Sequence, residues 1–196
     1  MLTIADRKVA LTNEMGGFYV VARVRALEKD CVIGEALPIY DEIEKVFGRV
    51  PNIFKTYAHF PPLLKANWEK TKAVMMGGSL RRELKEAIAL LVSDANTCRY
   101  CVSAHRAALQ SLGIARQTID ALMNGFGGPD FSMKELSLLQ FTVQSTRDPN
   151  GITDDDIEML RKLGWSEREI VEAQGVMELF TGFNKFLDSL GVDIDF

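Results

Sequence analysis

Three capping boxes divide the second half of the chain into helical segments. In each box a Ser or Thr begins a helix, and an acidic residue three positions later returns a hydrogen bond to its backbone. The three pairs are Ser132 with Glu135, Thr153 with Asp156, and Ser166 with Glu169. Apolar residues recur at helical spacing after each box, and strand-like alternation is almost absent from the sequence. These patterns predict a single all-α domain.

Glycine and proline positions predict the ends of the earlier helices. Apolar residues at helical spacing occupy Ala36–Phe47, and Gly48 follows as a stop. A second helix is predicted from Pro62 to Met76, where a pair of glycines ends it. Ser79 is then placed to cap the helix that carries Glu86.

Length and composition indicate how the chain is organised. Its 196 residues are 47% hydrophobic and 26% charged, which is enough for one sizeable core. The first 33 residues are the least readable part, although residues 16–24 could form a short extended segment or a loop laid over the body. We therefore predict an N-terminal extension over 1–33 and a helical domain over 34–196.

Charge and hydropathy exclude several classes of partner. The net charge is −4 and no Lys/Arg cluster is present, so no nucleic-acid partner is predicted. The longest apolar stretches fall short of the roughly 18 residues that cross a bilayer, so no membrane association is predicted. The N-terminus lacks the pattern of a signal peptide, and three cysteines do not make a secreted disulfide framework. We therefore expect a cytoplasmic protein.

The segment from Cys98 to His105 carries the chemistry. On a helix, Cys98 and Cys101 are neighbours at i, i+3, and Cys101 and His105 are neighbours at i, i+4. A thiolate, a second thiol that could trap it as a disulfide, and a ring that moves protons would then share one helical surface. A cysteine near a helix start also meets the positive end of the helix dipole, which favours the thiolate. The segment predicts thiol redox chemistry.

The cysteine pair has two other possible interpretations. Buried cysteines can be inert core residues, but a histidine at this spacing makes that reading the weaker one. Zinc is the stronger competitor, because Cys98, Cys101 and His105 could supply three ligands. Glu86 or Cys31 would then be the fourth. Zinc knuckles, however, usually lie in turns and use a second, distant pair of ligands.

The remaining candidates depend on how the chain turns. Glu86 can reach the thiols only if the helix breaks at Asn96-Thr97, a weak helix-forming pair; spacing alone slightly favours a solvated carboxylate paired with Arg82. His59 is read as a loop histidine, and Cys31 as a half-buried apolar residue.

The last predicted helix, which ends near Leu190, carries an unusually wide apolar stripe. Phe180, Phe183, Phe186 and Leu187 spread over more of the helix than one core is expected to cover. Such a helix is either central to the fold or shared with a second subunit, and we predict at least a dimer.

The constellation of Glu86, Cys98, Cys101 and His105 resembles the signature of the alkylhydroperoxidase D-like proteins, which belong to the carboxymuconolactone decarboxylase family. The resemblance extends over roughly residues 34 to 190 and points to the peroxidase-related branch. Supporting segments are Arg49-Val-Pro-Asn-Ile-Phe, Ala87-Ile-Ala-Leu-Leu-Val-Ser, the Tyr100-Cys101 pair and Ile152-Thr-Asp-x-Asp-Ile. Thr97 stands where the family often has glycine, and Tyr100 where some peroxidases have a second histidine.

The resemblance implies an all-helical domain of the alkylhydroperoxidase D-like type whose subunits associate. It implies a hydroperoxide reductase in which Cys101 attacks the peroxide, Cys98 resolves the product as a disulfide, and His105 and Glu86 relay protons. A lipoyl-like or thioredoxin-like dithiol would restore the enzyme, and no haem, flavin or metal would be required. Helix physics alone leaves open which thiol attacks.

Three alternatives to the peroxidase reading remain open at this stage: a disulfide oxidoreductase with a non-peroxide substrate, a zinc-binding module, and a non-enzymatic redox sensor. Non-redox decarboxylases of the family lack the cysteine pair, which argues against decarboxylation.

Overall fold

The computed structural model describes residues 22–125 and 127–196, together with the backbone of two short strands. Strands β1 (Leu11–Thr12) and β2 (Phe18–Tyr19) pair antiparallel. The first helices are α1 (Ala36–Phe47), α2 (Asn52–Tyr57) and α3 (Pro61–Thr71), and α3 continues into a π-helical turn over Lys72–Met76. The others are α4 (Arg82–Ala95), α5 (Arg99–Ser111), α6 (Arg116–Gly125), α7 (Met133–Arg147), α8 (Asp154–Lys162) and α9 (Glu167–Leu190). The predicted all-α class is confirmed. Within residues 16–24, where the sequence left an extended segment or a loop open, Phe18–Tyr19 form strand β2, and residues 16, 17, 20 and 21 lie outside the described residues.

Helix α4 is the centre of the fold. Every residue from Leu84 to Ser93 is buried, because α5, α7 and α9 pack against it on different sides. A helix that is buried all round belongs to the core of a protein. Functional side chains on α4 are therefore held by neighbouring helices.

Local signals set the helix ends as predicted. Gly48 ends α1 in a left-handed conformation at φ 74°, which glycine adopts without a steric penalty. All three capping boxes form, at the starts of α7, α8 and α9. Helix α9 ends at Leu190, as its apolar period predicted.

The predicted helix from Pro62 to Met76 differs from the structure in its last part. Regular α-helix ends at Thr71, and the π-helical turn follows. Two cations of α4 bind carbonyl oxygens at the end of this turn: Arg82 Nη1 donates to Met75 O at 2.8 Å, and Lys85 Nζ to Val74 O at 2.8 Å. Contacts from another helix, which local sequence does not reveal, thus accompany the wider turn.

The prediction that Ser79 caps α4 is wrong. Arg81 occupies the N-cap position and makes no side-chain capping bond. The backbone N–H groups of Ser79 and Leu80 donate instead to the Glu172 carboxylate of α9, at 2.7 and 3.1 Å. A distant carboxylate therefore binds the segment where a local cap was expected.

The break predicted at Asn96-Thr97 is confirmed. Helix α4 ends at Ala95, and Thr97 turns the chain at φ 60°, where it is the one non-glycine residue of the described chain with positive φ. Cys98 follows as the N-cap of α5, and its N–H donates to Ser93 O at 2.9 Å. The left-handed turn explains why glycine suits the Thr97 position.

The expectation that the apolar stripe of α9 is too wide for one core to cover is wrong. Phe180, Phe183 and Leu187 are buried within the single chain, and Phe186 stacks on Tyr57 with ring centroids 3.9 Å apart. One protomer therefore covers most of the wide stripe. Self-association stays a prediction that rests on the resemblance.

The segment before α1 lies against the helices. Arg23 N donates to Leu190 O at 2.8 Å, and the Tyr40 hydroxyl donates to Leu27 O at 2.9 Å. The domain boundary at residue 34 stays a prediction. Among the described residues, no helix combines the length and the apolar character needed to cross a membrane.

Candidate functional site

The two thiols of the site lie at the start of α5. Cys98 is the N-cap residue and Cys101 lies in the first turn, so the helix dipole presents its positive end to both. The two sulfurs are not bonded to each other. Cys98 is fully buried, whereas 3% of Cys101 remains exposed.

Glu86 and His105 meet across the interface of α4 and α5. The reversal at Thr97 brings His105 Nδ1 to 2.6 Å from Glu86 Oε2. The other carboxylate oxygen, Oε1, lies 2.6 Å from Arg82 Nη2. The pairing of Glu86 with Arg82 is therefore confirmed, but the expectation of a solvated Glu86 is wrong, because the residue is 2% exposed.

The charges around Glu86 keep it ionised. Burial acts to raise the pKa of Glu86, but the His105 imidazole and the Arg82 guanidinium outweigh burial and lower it. An ionised Glu86 accepts the Nδ1–H of His105 and leaves Nε2 as the ring atom that can exchange a proton. The ring of Phe180 packs edge-on to the imidazole, with centroids 4.3 Å apart. Glu86 and Phe180 thus fix the orientation of His105.

A cavity of about 490 Å³ lies beside this pair. Glu86, Cys101 and His105 all line it, so the structure brings three of the four predicted site residues to one space. Cys98 does not belong to the described lining. Six lining residues carry Phe or Tyr rings: Phe47, Phe54, Tyr100, Phe180, Phe183 and Phe196.

The two thiols affect each other's acidity in opposite directions. Hydrogen bonds from the Cys101 thiol and backbone N–H lower the pKa of Cys98, against the effect of burial. The contact with Cys98, reinforced by burial, raises the pKa of Cys101. The first proton to leave the pair is therefore expected from Cys98, although Cys101 is the thiol that reaches the cavity.

Part of the chain matches a known protein family. Residues 61–144, which include α4, the reversal and α5, match the carboxymuconolactone decarboxylase family. This segment is therefore similar to that family. Over 80 residues the chain is 31% identical to the alkyl hydroperoxide reductase Rv2159c of Mycobacterium tuberculosis. The match spans 41% of this chain and only 23% of that protein.

Solved structures share the alkylhydroperoxidase D-like fold over most of the chain. A peroxidase-related protein from Silicibacter sp. TM1040 is 27% identical, with a TM-score of 0.80 over 89% of this chain and 92% of that one. An alkylhydroperoxidase AhpD core protein from Ralstonia eutropha JMP134 is 24% identical, with a TM-score of 0.81 over 90% and 94% of the two chains. The family resemblance seen in the sequence is confirmed.

Two other predicted candidates lie outside this family site. His59 is exposed, and its Nε2 lies 2.8 Å from Arg25 O, so the loop reading of His59 is confirmed. Cys31 is exposed in a short 3₁₀ turn, so the expectation of a half-buried residue is wrong. Within the described part of the chain, no three His, Cys, Asp or Glu side chains are grouped to hold a metal ion. The zinc reading therefore gains no support from the geometry.

Two polar residues of the site were missed by sequence reasoning. Ser93 on α4 and Asn184 on α9 are fully buried, Asn184 Nδ2 donates to Ser93 Oγ at 3.1 Å, and both side chains act to lower the pKa of Cys101. One signal was available for Asn184: it lies four residues after Phe180 and three before Leu187, on the apolar face of its helix. A buried amide among apolar positions needs partners, so it indicates a polar network.

Proposed function

We propose that this protein is a thiol-dependent hydroperoxide reductase. Cys101 attacks the peroxide, Cys98 resolves the product as a disulfide, and the Glu86–His105 pair relays protons. The observation that carries the proposal is the 2.6 Å contact of Glu86 with His105 in the wall of the cavity that Cys101 lines. The family match and the similarity to an alkyl hydroperoxide reductase of Mycobacterium tuberculosis support it.

The first step breaks the O–O bond of the substrate. The Cys101 proton moves to the Cys98 thiolate, and the Cys101 thiolate then attacks the terminal oxygen of the hydroperoxide. Cys101 becomes a sulfenic acid, and the alkoxide leaves and takes a proton from His105. That proton is the one Cys98 loses when it forms its thiolate: His105 takes it up, and Glu86 stabilises the protonated ring and holds it in place until the transfer.

The second step restores a stable sulfur species. The Cys98 thiol condenses with the sulfenic acid of Cys101, which forms a disulfide and releases water. An external dithiol then reduces the disulfide by exchange and becomes a disulfide itself. One hydroperoxide and one dithiol thus give one alcohol, one water and one oxidised dithiol.

Access to the cavity is the reason to assign the attack to Cys101. Acidity alone favours Cys98, whose pKa is lowered by its hydrogen bonds from Cys101. A nucleophile must nevertheless reach the peroxide oxygen, and Cys98 is fully buried away from the described lining. A proton shift along the S–H···S contact makes the accessible sulfur the thiolate.

The cavity indicates the class of hydroperoxide. Its aromatic walls favour an apolar organic group, because burying apolar surface stabilises a complex by roughly 25 cal/mol per Å². Hydrogen peroxide offers no such surface. Organic hydroperoxides are therefore the proposed substrates, and dihydrolipoamide or reduced thioredoxin is the proposed type of reductant.

A turnover assay tests this function. Consumption of cumene hydroperoxide and of hydrogen peroxide is measured with each reductant for the wild type and for Cys101→Ser. We expect faster turnover of cumene hydroperoxide and none in the variant. Cys31→Ser is the matched control, because Cys31 is the free thiol outside the site, and it should keep full activity. Peroxide turnover that survives Cys101→Ser would overturn the proposal.

A further inference from the structure

The segment that follows α9 turns back toward the cavity. Gly191 ends the helix in a left-handed conformation at φ 58°, and Val192 N donates to Leu187 O at 3.1 Å. This is the turn with which helices commonly end on glycine, and it directs the chain away from the helix axis. We call residues 192–196 the strap, because they lead from the end of α9 to the connection between α1 and α2.

Side chains, rather than backbone pairing, hold the strap in place. Asp195 Oδ2 accepts from Asn52 N at 2.9 Å, and Asp193 O accepts from Asn52 Nδ2 at 3.1 Å. Arg49 Nη1 lies 3.8 Å from Asp195 Oδ2. Among the described residues, no backbone–backbone hydrogen bond involves residues 193–196. A segment with so few backbone contacts opens at a lower free energy than a core helix does.

Phe196 of the strap forms one side of the cavity mouth. The Arg49 guanidinium lies 4.7 Å from the centroid of its ring, and the Tyr100 ring packs edge-on to it, with centroids 5.2 Å apart. Arg49 follows α1 and Tyr100 precedes Cys101 on α5, so the ring bridges two sides of the mouth. Phe196 and Cys101 both line the cavity, and Phe196 is 51% exposed. The ring therefore lies between the cavity and solvent.

We propose that the strap is a movable wall of the site and that Phe196 limits the size of the organic group that reaches Cys101. The inference rests on the proposed function in one respect, since it takes that group to be part of a hydroperoxide. A compact aryl hydroperoxide fits inside the wall. A long-chain hydroperoxide must displace the ring, which costs the contacts of the ring with Arg49 and Tyr100. Asp195 is a positioning residue, because it ties the strap to Asn52.

Two maleimides of different size test the wall without any peroxide. In a Cys31→Ser, Cys98→Ala background Cys101 is the remaining thiol, and N-ethylmaleimide and N-(1-pyrenyl)maleimide share one reacting group. The ratio of their rate constants therefore reports access to Cys101 and not its thiolate fraction. Phe196→Ala should raise the ratio of pyrenyl to ethyl rate by about tenfold, because a difference of one group in an apolar pocket changes selectivity by that order.

Matched variants separate the wall from a general change in the protein. Phe196→Tyr keeps the ring and should keep the wild-type ratio. Phe60→Ala is the control, because Phe60 is also exposed but does not belong to the described lining, and it should leave the ratio unchanged. A wild-type ratio in folded Phe196→Ala, checked by circular dichroism, would overturn the inference.

A double variant tests how Asp195 acts. Asp195→Ala should raise the maleimide ratio nearly as much as Phe196→Ala, and the two changes together should raise it no further, because both act through the position of one ring. Additive effects would overturn the positioning role of Asp195. If Asp195→Ala does not fold, Asn52→Ala, which removes the bond to Asp193 O, takes its place.

Turnover then tests substrate selection. The ratio of kcat/KM for methyl linoleate hydroperoxide to that for cumene hydroperoxide should rise about tenfold in Phe196→Ala, and an unchanged ratio would overturn the role in selection. If the wild type consumes no hydroperoxide while Phe196→Ala raises the maleimide ratio, the wall stands and the proposed function is wrong. If the wild type consumes hydroperoxide and the maleimide ratio does not move, the reverse holds.

Discussion

Lys85 and Glu86 are consecutive residues of α4, but Lys85 contacts the backbone of the fold and Glu86 lies in the candidate site. Both are nearly inaccessible, at 1% and 2% exposure, and each contacts a titratable side chain on another helix. Lys85 pairs with Glu172 at 2.7 Å, and Glu86 with His105 at 2.6 Å. By burial and charge alone the two pairs look alike.

The partners distinguish them. Lys85 also donates to the carbonyls of Val74 and Gly77, and Glu172 accepts from two backbone N–H groups. Apart from their contact with each other, Lys85 and Glu172 bind the backbone of residues 74–80. The Glu86–His105 pair instead ends on a titratable ring that lines a cavity beside a thiol. A buried ion pair therefore indicates catalysis only when one member can exchange a proton with the contents of a cavity.

The largest effect is expected from breaking the Lys85 pair. Lys85→Met leaves the Glu172 carboxylate without its cation and frees two carbonyl oxygens, which should lower the free energy of unfolding by about 3–5 kcal/mol. Urea denaturation of wild type and variant measures the loss. A loss below about 1 kcal/mol would show that the pair does not hold this part of the fold.

The next largest effect concerns rate. Glu86→Gln keeps the size of the side chain but removes the charge that orients His105, so the peroxide rate constant should fall by about a hundredfold. Glu172→Gln is the matched variant, with the same change in the other pair. It should reduce stability and leave the rate of the folded protein unchanged. Equal rates in Glu86→Gln and wild type would remove the distinction between the pairs.

At acid pH, protonation of the Glu86 and Glu172 carboxylates should lower the free energy of unfolding. Burial raises the pKa of Glu86 and of Glu172, but their cationic and hydrogen-bonding partners lower both below the ordinary value of 4.5. Their stabilising contribution is thus complete above pH 4.5 and is lost as pH falls through the folded-state pKa.

Urea denaturation as a function of pH measures this loss. Each group contributes a slope of at most about 1.4 kcal/mol per pH unit, so Glu86→Gln and Glu172→Gln should each flatten the acid limb. A wild-type acid limb that both variants reproduce unchanged would contradict the lowered pKa values.

The smallest effect concerns the reversal that brings His105 to Glu86. Thr97 adopts a left-handed conformation that is unfavourable for a β-branched residue, at φ 60°. Thr97→Gly should therefore stabilise the protein, because glycine adopts this conformation without a steric penalty. The gain should not exceed about 1 kcal/mol, because glycine also loses more chain entropy on folding. Thermal unfolding measures the change, and a marked destabilisation would show that the Thr97 side chain matters to the turn.

Local patterns predicted much of the fold because helix ends depend on neighbouring residues. The capping boxes, the stop at Gly48 and the spacing of Cys98, Cys101 and His105 all follow from nearby sequence. The contact of Glu86 with His105 was less predictable, because it requires the reversal at Thr97. The angle of that reversal depends on how α5 packs against α4.

Features that depend on distant helices were not predictable in the same way. The cap at Ser79 and the shape of the π-helical turn were missed because Glu172, Lys85 and Arg82 act from other elements. The hydrogen bond from Asn184 to Ser93 could not be predicted, because it depends on how α9 packs against α4. The dimer argument failed for the same reason, since α9 is covered within its own chain.

The most direct test of the central claim is a single turnover without reductant. Wild-type protein is treated with one equivalent of cumene hydroperoxide and mapped by mass spectrometry, and Cys98→Ser is treated in parallel. The account predicts a Cys98–Cys101 disulfide in the wild type and a trappable sulfenic acid on Cys101 in the variant. A sulfenic acid that forms on Cys98 in Cys101→Ser, with Cys101 unreactive in Cys98→Ser, would contradict it.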